Sequence, residues 1–90
     1  MLSAFVLIDA EPARVASLAA ELADVEGVAE VYSVAGECDI VAIVRVRHQD
    51  EFADVVTGRI ASLEGIVATR TMVAFKAFSV RDLDTLWDLG

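Results

Sequence analysis

The chain is written twice. Displaced along itself by 38 residues, it meets itself without a gap: V-E-G-V at 25–28 falls on L-E-G-I at 63–66, Leu22 on Ile60, Ala23 on Ala61, Val34 on Met72 and Ala4 on Ala42. Periods of this size belong to repeat arrays, but a solenoid needs about three or more units to close a continuous core. Two copies suit a duplicated supersecondary unit instead.

Each copy reads strand, helix, strand. In the first, residues 2–8 form a continuous apolar run, short and β-branched enough for a buried strand. Asp9, Glu11 and Pro12 then open a helix, because proline is tolerated in the first turn and acids suit the positive helix end. Val15, Leu18, Leu22 and Val25 give it an apolar stripe, and Gly27 ends it. A second strand follows over 28–35, with Val28, Glu30, Tyr32 and Val34 alternating against Ala29, Val31 and Ser33.

In the second copy a strand covers 39–47, and a helix over about 50–63 places Phe52, Val55, Val56, Ile60 and Leu63 on one face. Gly58 lies inside that helix at a cost of roughly 1 kcal/mol relative to alanine, which marks close packing or a bend. Gly65 closes the helix, and residues 66–78 read as one long last strand. Ser79-Val80-Arg81-Asp82 has the pattern of a capping box, opening a short terminal helix on which Val80, Leu83 and Trp87 share a face. The expected organisation is one domain over 1–78 and a short helical tail over 79–90.

The order βαββαβ is that of the ferredoxin-like α+β fold, a four-stranded antiparallel sheet with two helices on one face. Its first and third strands are central, and here those are the most apolar. The second and fourth, which carry Glu30, Tyr32, Ser33, Thr69, Arg70 and Thr71, are edges. The face away from the helices shows Ala4 or Phe5, Val6 or Leu7, with Ile43 and Val31. Such a face wants cover. Hydrophobic residues make up 57% of only 90 residues, and mean hydropathy is +0.59, more than one thin core conceals. A second copy stacked face to face at about 10 Å supplies the cover, as in dimeric α/β barrels, so at least a homodimer is expected.

Charge excludes other classes. Net charge is −8, with 15 acidic against 7 basic residues, and the arginines and Lys76 are scattered. Direct nucleic-acid binding, which rests on clustered Lys and Arg, is not expected. The apolar runs 4–8, 40–44 and 72–75 are too short to cross a bilayer. The first residues lack the basic segment of a signal peptide, so a reducing cytoplasm is the expected location. Cys38 is the one cysteine, which leaves no intrachain disulfide and no zinc cluster. No cofactor or metal is expected.

With this fold reached, the turn A-G-E-C-D at 35–39, followed by an apolar strand, a helix and L-E-G-I-V-A-T-R-T-M-V-A-F-K at 63–76, resembles the effector-binding (RAM-type) domain of the Lrp/AsnC, or feast/famine, transcription regulators. Gly36, Asp39, Gly65, Thr71 and Lys76 carry the resemblance. Full-length members place a helix-turn-helix domain before this unit. Residue 1 here is already at the first strand, which implies a stand-alone version of the regulatory half. The resemblance further implies dimers through the open sheet faces, assembly into rings such as octamers or decamers, and small effectors, commonly amino acids, bound between dimers near the hairpin and the last strand. Full-length Lrp/AsnC regulators are implied as further partners. One departure stands out: the family often has an aromatic residue, usually tyrosine, where this chain has Cys38. That leaves open a differently lined pocket, weak binding, or none.

The candidate ligand-binding residues are Gly36, Glu37, Cys38, Asp39, Thr69 and Thr71. In the plain structural reading, Gly36 supplies a positive φ for the turn and Asp39 caps backbone N–H groups. In the functional reading, loop N–H groups meet a carboxylate and Asp39 or Glu37 meets an ammonium. Thr69 and Thr71 share one side of the last strand; the family position favours Thr71. Cys38 reads as a small apolar filler, His48 as an exposed loop residue rather than a base, and Lys76 as a surface charge. Tyr32 and Arg70 read as oligomer contacts, and the tail with Trp87 as a helix packed on its own domain or an arm for a neighbouring subunit.

The expected function is a non-enzymatic amino-acid-sensing and oligomerisation module linked to transcription. Two alternatives remain: a small dimeric α/β-barrel enzyme of the cofactor-free oxygenase kind, which needs an enclosed pocket with a base, and an ACT-type amino-acid-binding module, which joins its sheets edge to edge.

Overall fold

The computed structural model describes residues 1–79. Strand β1 (Leu2–Ala10) leads through a 3₁₀ turn at Pro12–Arg14 into helix α1 (Val15–Ala23), then β2 (Val28–Ser33) and β3 (Ile40–Val46). A short α-helical turn, α2 (Glu51–Ala53), runs on as a π-helical stretch over Asp54–Ile60 before β4 (Ile66–Val73). The four strands form one antiparallel sheet in the order β2-β3-β1-β4. The two apolar strands are central and the polar ones are edges, as the βαββαβ reading requires. Among the described residues no helix is long and apolar enough to cross a membrane.

One face of the sheet makes the core. Ala4, Val6 and Ile8 of β1 and Ile40, Ala42 and Val44 of β3 cluster with Leu18 and Leu22 of α1 and with Phe52, Val55 and Ile60 of the second helix. Both helices therefore lie on the same side. The glycines that repeat at 38 residues do the same job twice. Gly27 (φ 98°) and Gly65 (φ 97°) both turn the chain from helix to strand. At each corner the preceding glutamate's carbonyl is held by an arginine of the other copy: Arg59 Nη1 donates to Glu26 O at 2.9 Å, and Arg14 Nη2 to Glu64 O at 3.1 Å.

The second helix departs from the expected α-helix over 50–63. Val55 and Ile60, both fully buried, are five residues apart. On an α-helix that spacing separates side chains by about 140° around the axis, so one of them would leave the core. Winding the segment with i→i+5 bonds, such as Ala61 N–H to Val56 O at 3.1 Å, brings both to the sheet. Gly58 sits in this stretch with nothing within 4 Å of where a Cβ would be. Close packing is not the reason for it, and its φ is not positive.

Strand β4 stops at Val73 rather than running to 78. Val73 pairs with Ala4 and Ala74 N–H donates to Ser3 O at 2.9 Å; Phe75, next in register with Leu2 of β1, is fully exposed instead of continuing the strand. The expected terminal helix with Leu83 and Trp87, and nearly all of the tail over 79–90, lie outside the described residues.

The opposite face is open and apolar. Two cross-strand rows cover it: Glu30–Ile43–Phe5–Met72 and Tyr32–Val41–Leu7–Arg70. Phe5 is 37% exposed, Tyr32 51% and Met72 54%. The structure thus resolves the alternatives left open at β1 in favour of Phe5 and Leu7. Val31, expected on this face, is on the helix side opposite Ala42, because a bulge between Val28 and Glu30 shifts the register and a one-residue shift exchanges the faces.

Candidate functional site

The loop between β2 and β3 is pinned at its base. Val34 N–H donates to Asp39 O at 2.9 Å, and Gly36 (φ 132°) supplies the left-handed turn inside it. Asp39 then ties the loop to β1: its N–H donates to Ile8 O at 3.0 Å, and its Oδ2 accepts the Ala10 N–H at 2.8 Å. The carboxylate takes the place of a carbonyl and continues the β1–β3 ladder past Ile40, the structural duty expected of it. Glu37 is exposed, whereas Cys38 is buried, in keeping with its reading as a filler.

The two threonines stand elsewhere. Thr69 pairs with Ile8 and Thr71 with Val6, so both point to the helix side of β4, yet both are exposed because the helices leave this edge uncovered. Between them, Arg70 points to the open face, and it is Arg70 that reaches the hairpin. Its Nη2 donates to Glu37 O and its Nη1 to Asp9 Oδ2, each at 3.4 Å. The six candidates therefore form a hairpin cluster and a separate pair of threonines, with β1 between them. The sequence marks Arg70 only as an oligomer contact on an edge strand. Its link to the hairpin depends on the reach of a long side chain across β1, for which the sequence carries no local signal.

At the other end of the sheet, an open groove of about 400 Å³ is lined by Arg45, Arg47, Arg59, Glu26, Glu51 and Asp54 among others. His48 is exposed and does not line it. No group of three or more His, Cys, Asp or Glu among the described residues is placed to hold a metal ion. Lys76 lies on the surface with its Nζ 5.2 Å from the ring centre of Phe78.

A four-stranded antiparallel sheet in the order β2-β3-β1-β4 with both helices on one face is the ferredoxin-like α+β form. The chain belongs to the Lrp/AsnC ligand-binding-domain family, whose model matches residues 3–83. An uncharacterised HTH-type transcriptional regulator of Pyrococcus furiosus is 37% identical over 76 residues, 81% of this chain and 51% of that protein. The chain thus spans about half the length of the curated relatives it matches. Among solved structures, the protein TTHA0845 from Thermus thermophilus is similar with a TM-score of 0.83 and 48% identity, covering 88% of this chain and 99% of that one. A feast or famine regulatory protein of M. tuberculosis, solved in complex with L-methionine, has a TM-score of 0.73 and 34% identity over 90% of this chain and 55% of that one.

Proposed function

We propose that this chain is a non-enzymatic sensing and assembly module of transcription regulation whose effector is an amino acid. The observation that carries the reading is the open sheet face, where Phe5, Leu7, Val41, Ile43 and Met72 form a continuous apolar surface with no cover from the chain's described residues. Two copies stacked by this face make a homodimer, and dimers meet to form a ring such as an octamer or decamer. The effector is held between dimers near Gly36, Glu37, Cys38 and Asp39, with Thr69 and Thr71 on the adjoining edge strand. Support for an amino acid comes from the L-methionine complex of the M. tuberculosis relative and from the two carboxylates, Glu37 and Asp39, available to an ammonium.

The mechanism is linkage. A ligand bound between dimers stabilises the assembly that forms its site and shifts the population toward it. The net charge of −8 over the 90 residues speaks against direct DNA binding. The signal passes through a helix-turn-helix unit outside them, for which full-length Lrp/AsnC regulators are the fitting partners. The relatives named above as regulators, and the absence of His48 from the groove lining, favour this reading over a barrel enzyme.

The test is a panel of the twenty amino acids, read by thermal shift and by mass from light scattering. An effector raises the melting temperature and the mass together. If none changes either, the sensing half is wrong; if sedimentation shows only 9.6 kDa particles, the assembly half is wrong too.

A further inference from the structure

Arg70 belongs to two surfaces at once. It stands opposite Leu7 on the open face, at the end of the row Tyr32–Val41–Leu7–Arg70, so its aliphatic stem is part of the surface a second copy covers. Its guanidinium leaves that row toward the hairpin, donating to Asp9 Oδ2 near the end of β1 and to Glu37 O in the loop between β2 and β3. Among the described residues it is the only side chain from another element seen to donate to this loop.

Both contacts are slack. At 3.4 Å they lie beyond the usual range for N–H···O bonds, and the Arg70 and Asp9 side chains are 51% and 31% exposed. An ion pair this wet contributes little. Covering the open face changes its surroundings: a lower local dielectric strengthens both bonds, and withdrawal from water makes leaving either unmade costly.

We propose that Arg70 is a positioning residue that couples assembly to the hairpin. When a second copy covers the sheet, Arg70 closes on Asp9 and Glu37 and fixes the loop over 34–39; an uncovered sheet leaves the loop loose. This rests on the face-to-face assembly proposed above. It makes that assembly a condition for an ordered effector loop, and by reciprocity a ligand that orders the loop favours assembly by the same factor.

Three amides report on the loop: Val34, Asp39 and Ala10, whose N–H groups bond to Asp39 O, Ile8 O and Asp39 Oδ2. The experiment is residue-resolved hydrogen exchange on the full chain at concentrations below and above dimerisation, with the dimer fraction set by sedimentation equilibrium. Wild type, Arg70→Met and Arg70→Lys are compared at equal dimer fraction. In the wild type, dimerisation slows exchange at these three amides by about fivefold or more relative to the rest of the β1–β3 ladder. Arg70→Met dimers lose that extra slowing, and Arg70→Lys keeps only part, because an ammonium cannot serve both acceptors in the fork geometry of a guanidinium. Should Arg70→Met fail to dimerise, Asp9→Asn removes the same ion pair from the β1 side and is read in the same way. Full loop protection in the Arg70→Met dimer overturns the coupling while leaving the assembly intact. A wild type that never exceeds monomer mass overturns the assembly, and the coupling with it.

Discussion

Asp39 and Ala10 close the end of the β1–β3 ladder: the Asp39 carboxylate accepts the Ala10 N–H at 2.8 Å, beside the backbone bond from Asp39 N–H to Ile8 O. Asp39→Ala leaves the partly buried Ala10 N–H without a partner and lowers stability by about 1–2 kcal/mol. Asp39→Asn retains an acceptor and costs less than about 1 kcal/mol. Urea unfolding checks this through a lower midpoint at unchanged slope. Equal stability of the alanine variant and wild type would show that the carboxylate has no structural duty.

Alanine at three glycines should act in two directions. At Gly27 it meets a positive φ and places a Cβ 2.5 Å from Val55 Cγ2, costing about 2 kcal/mol or more. At Gly36 the φ of +132° is as unfavourable but the space is open, so the loss is about 1 kcal/mol. At Gly58 neither obstacle exists, and alanine stabilises by about 0.4–1 kcal/mol. Thermal melts followed by circular dichroism give the order directly.

Neighbouring residues of β1 separate folding from assembly. Val6 is fully buried among the helices whereas Phe5 lies open between Ile43 and Met72. Val6→Asp buries an unpaired charge and unfolds the chain. Phe5→Asp keeps the native circular dichroism and sediments as a monomer. A Phe5→Asp protein that still assembles would rule out the open face as the interface.

Glu37 and Thr71 test the proposed effector site without disturbing the core, since both are exposed. Glu37→Gln and Thr71→Val change unliganded stability by less than about 0.5 kcal/mol. With an amino acid that shifts the wild type, L-methionine being the first to try, each variant shows a smaller thermal shift. An undiminished shift removes that residue from the site.

Much of the fold was legible because its signals are local. The 38-residue repeat, the apolar runs of β1 and β3, the stripe of Leu18 and Leu22, and the glycines at 27, 36 and 65 each express a preference that a few neighbouring residues satisfy alone. The hairpin half of the candidate site was legible for the same reason: a glycine turn followed by a capping acid declares itself within five residues.

What the chain could not announce was every choice made by a distant partner. A run of apolar residues in β1 does not say which side faces the helices; the helices decide, and they chose Ala4, Val6 and Ile8 over Phe5 and Leu7. The π winding was set by the need to bury Val55 and Ile60 together, and the place of Val31 by a bulge against β3. Arg70 meets Glu37 across 33 residues of sequence. The sequence by itself determined the kinds of element and their order, because hydrophobic period and turn chemistry act over short range. Facing, register and the contacts of long side chains were decided only by packing, which compares alternatives that are equivalent until the elements meet.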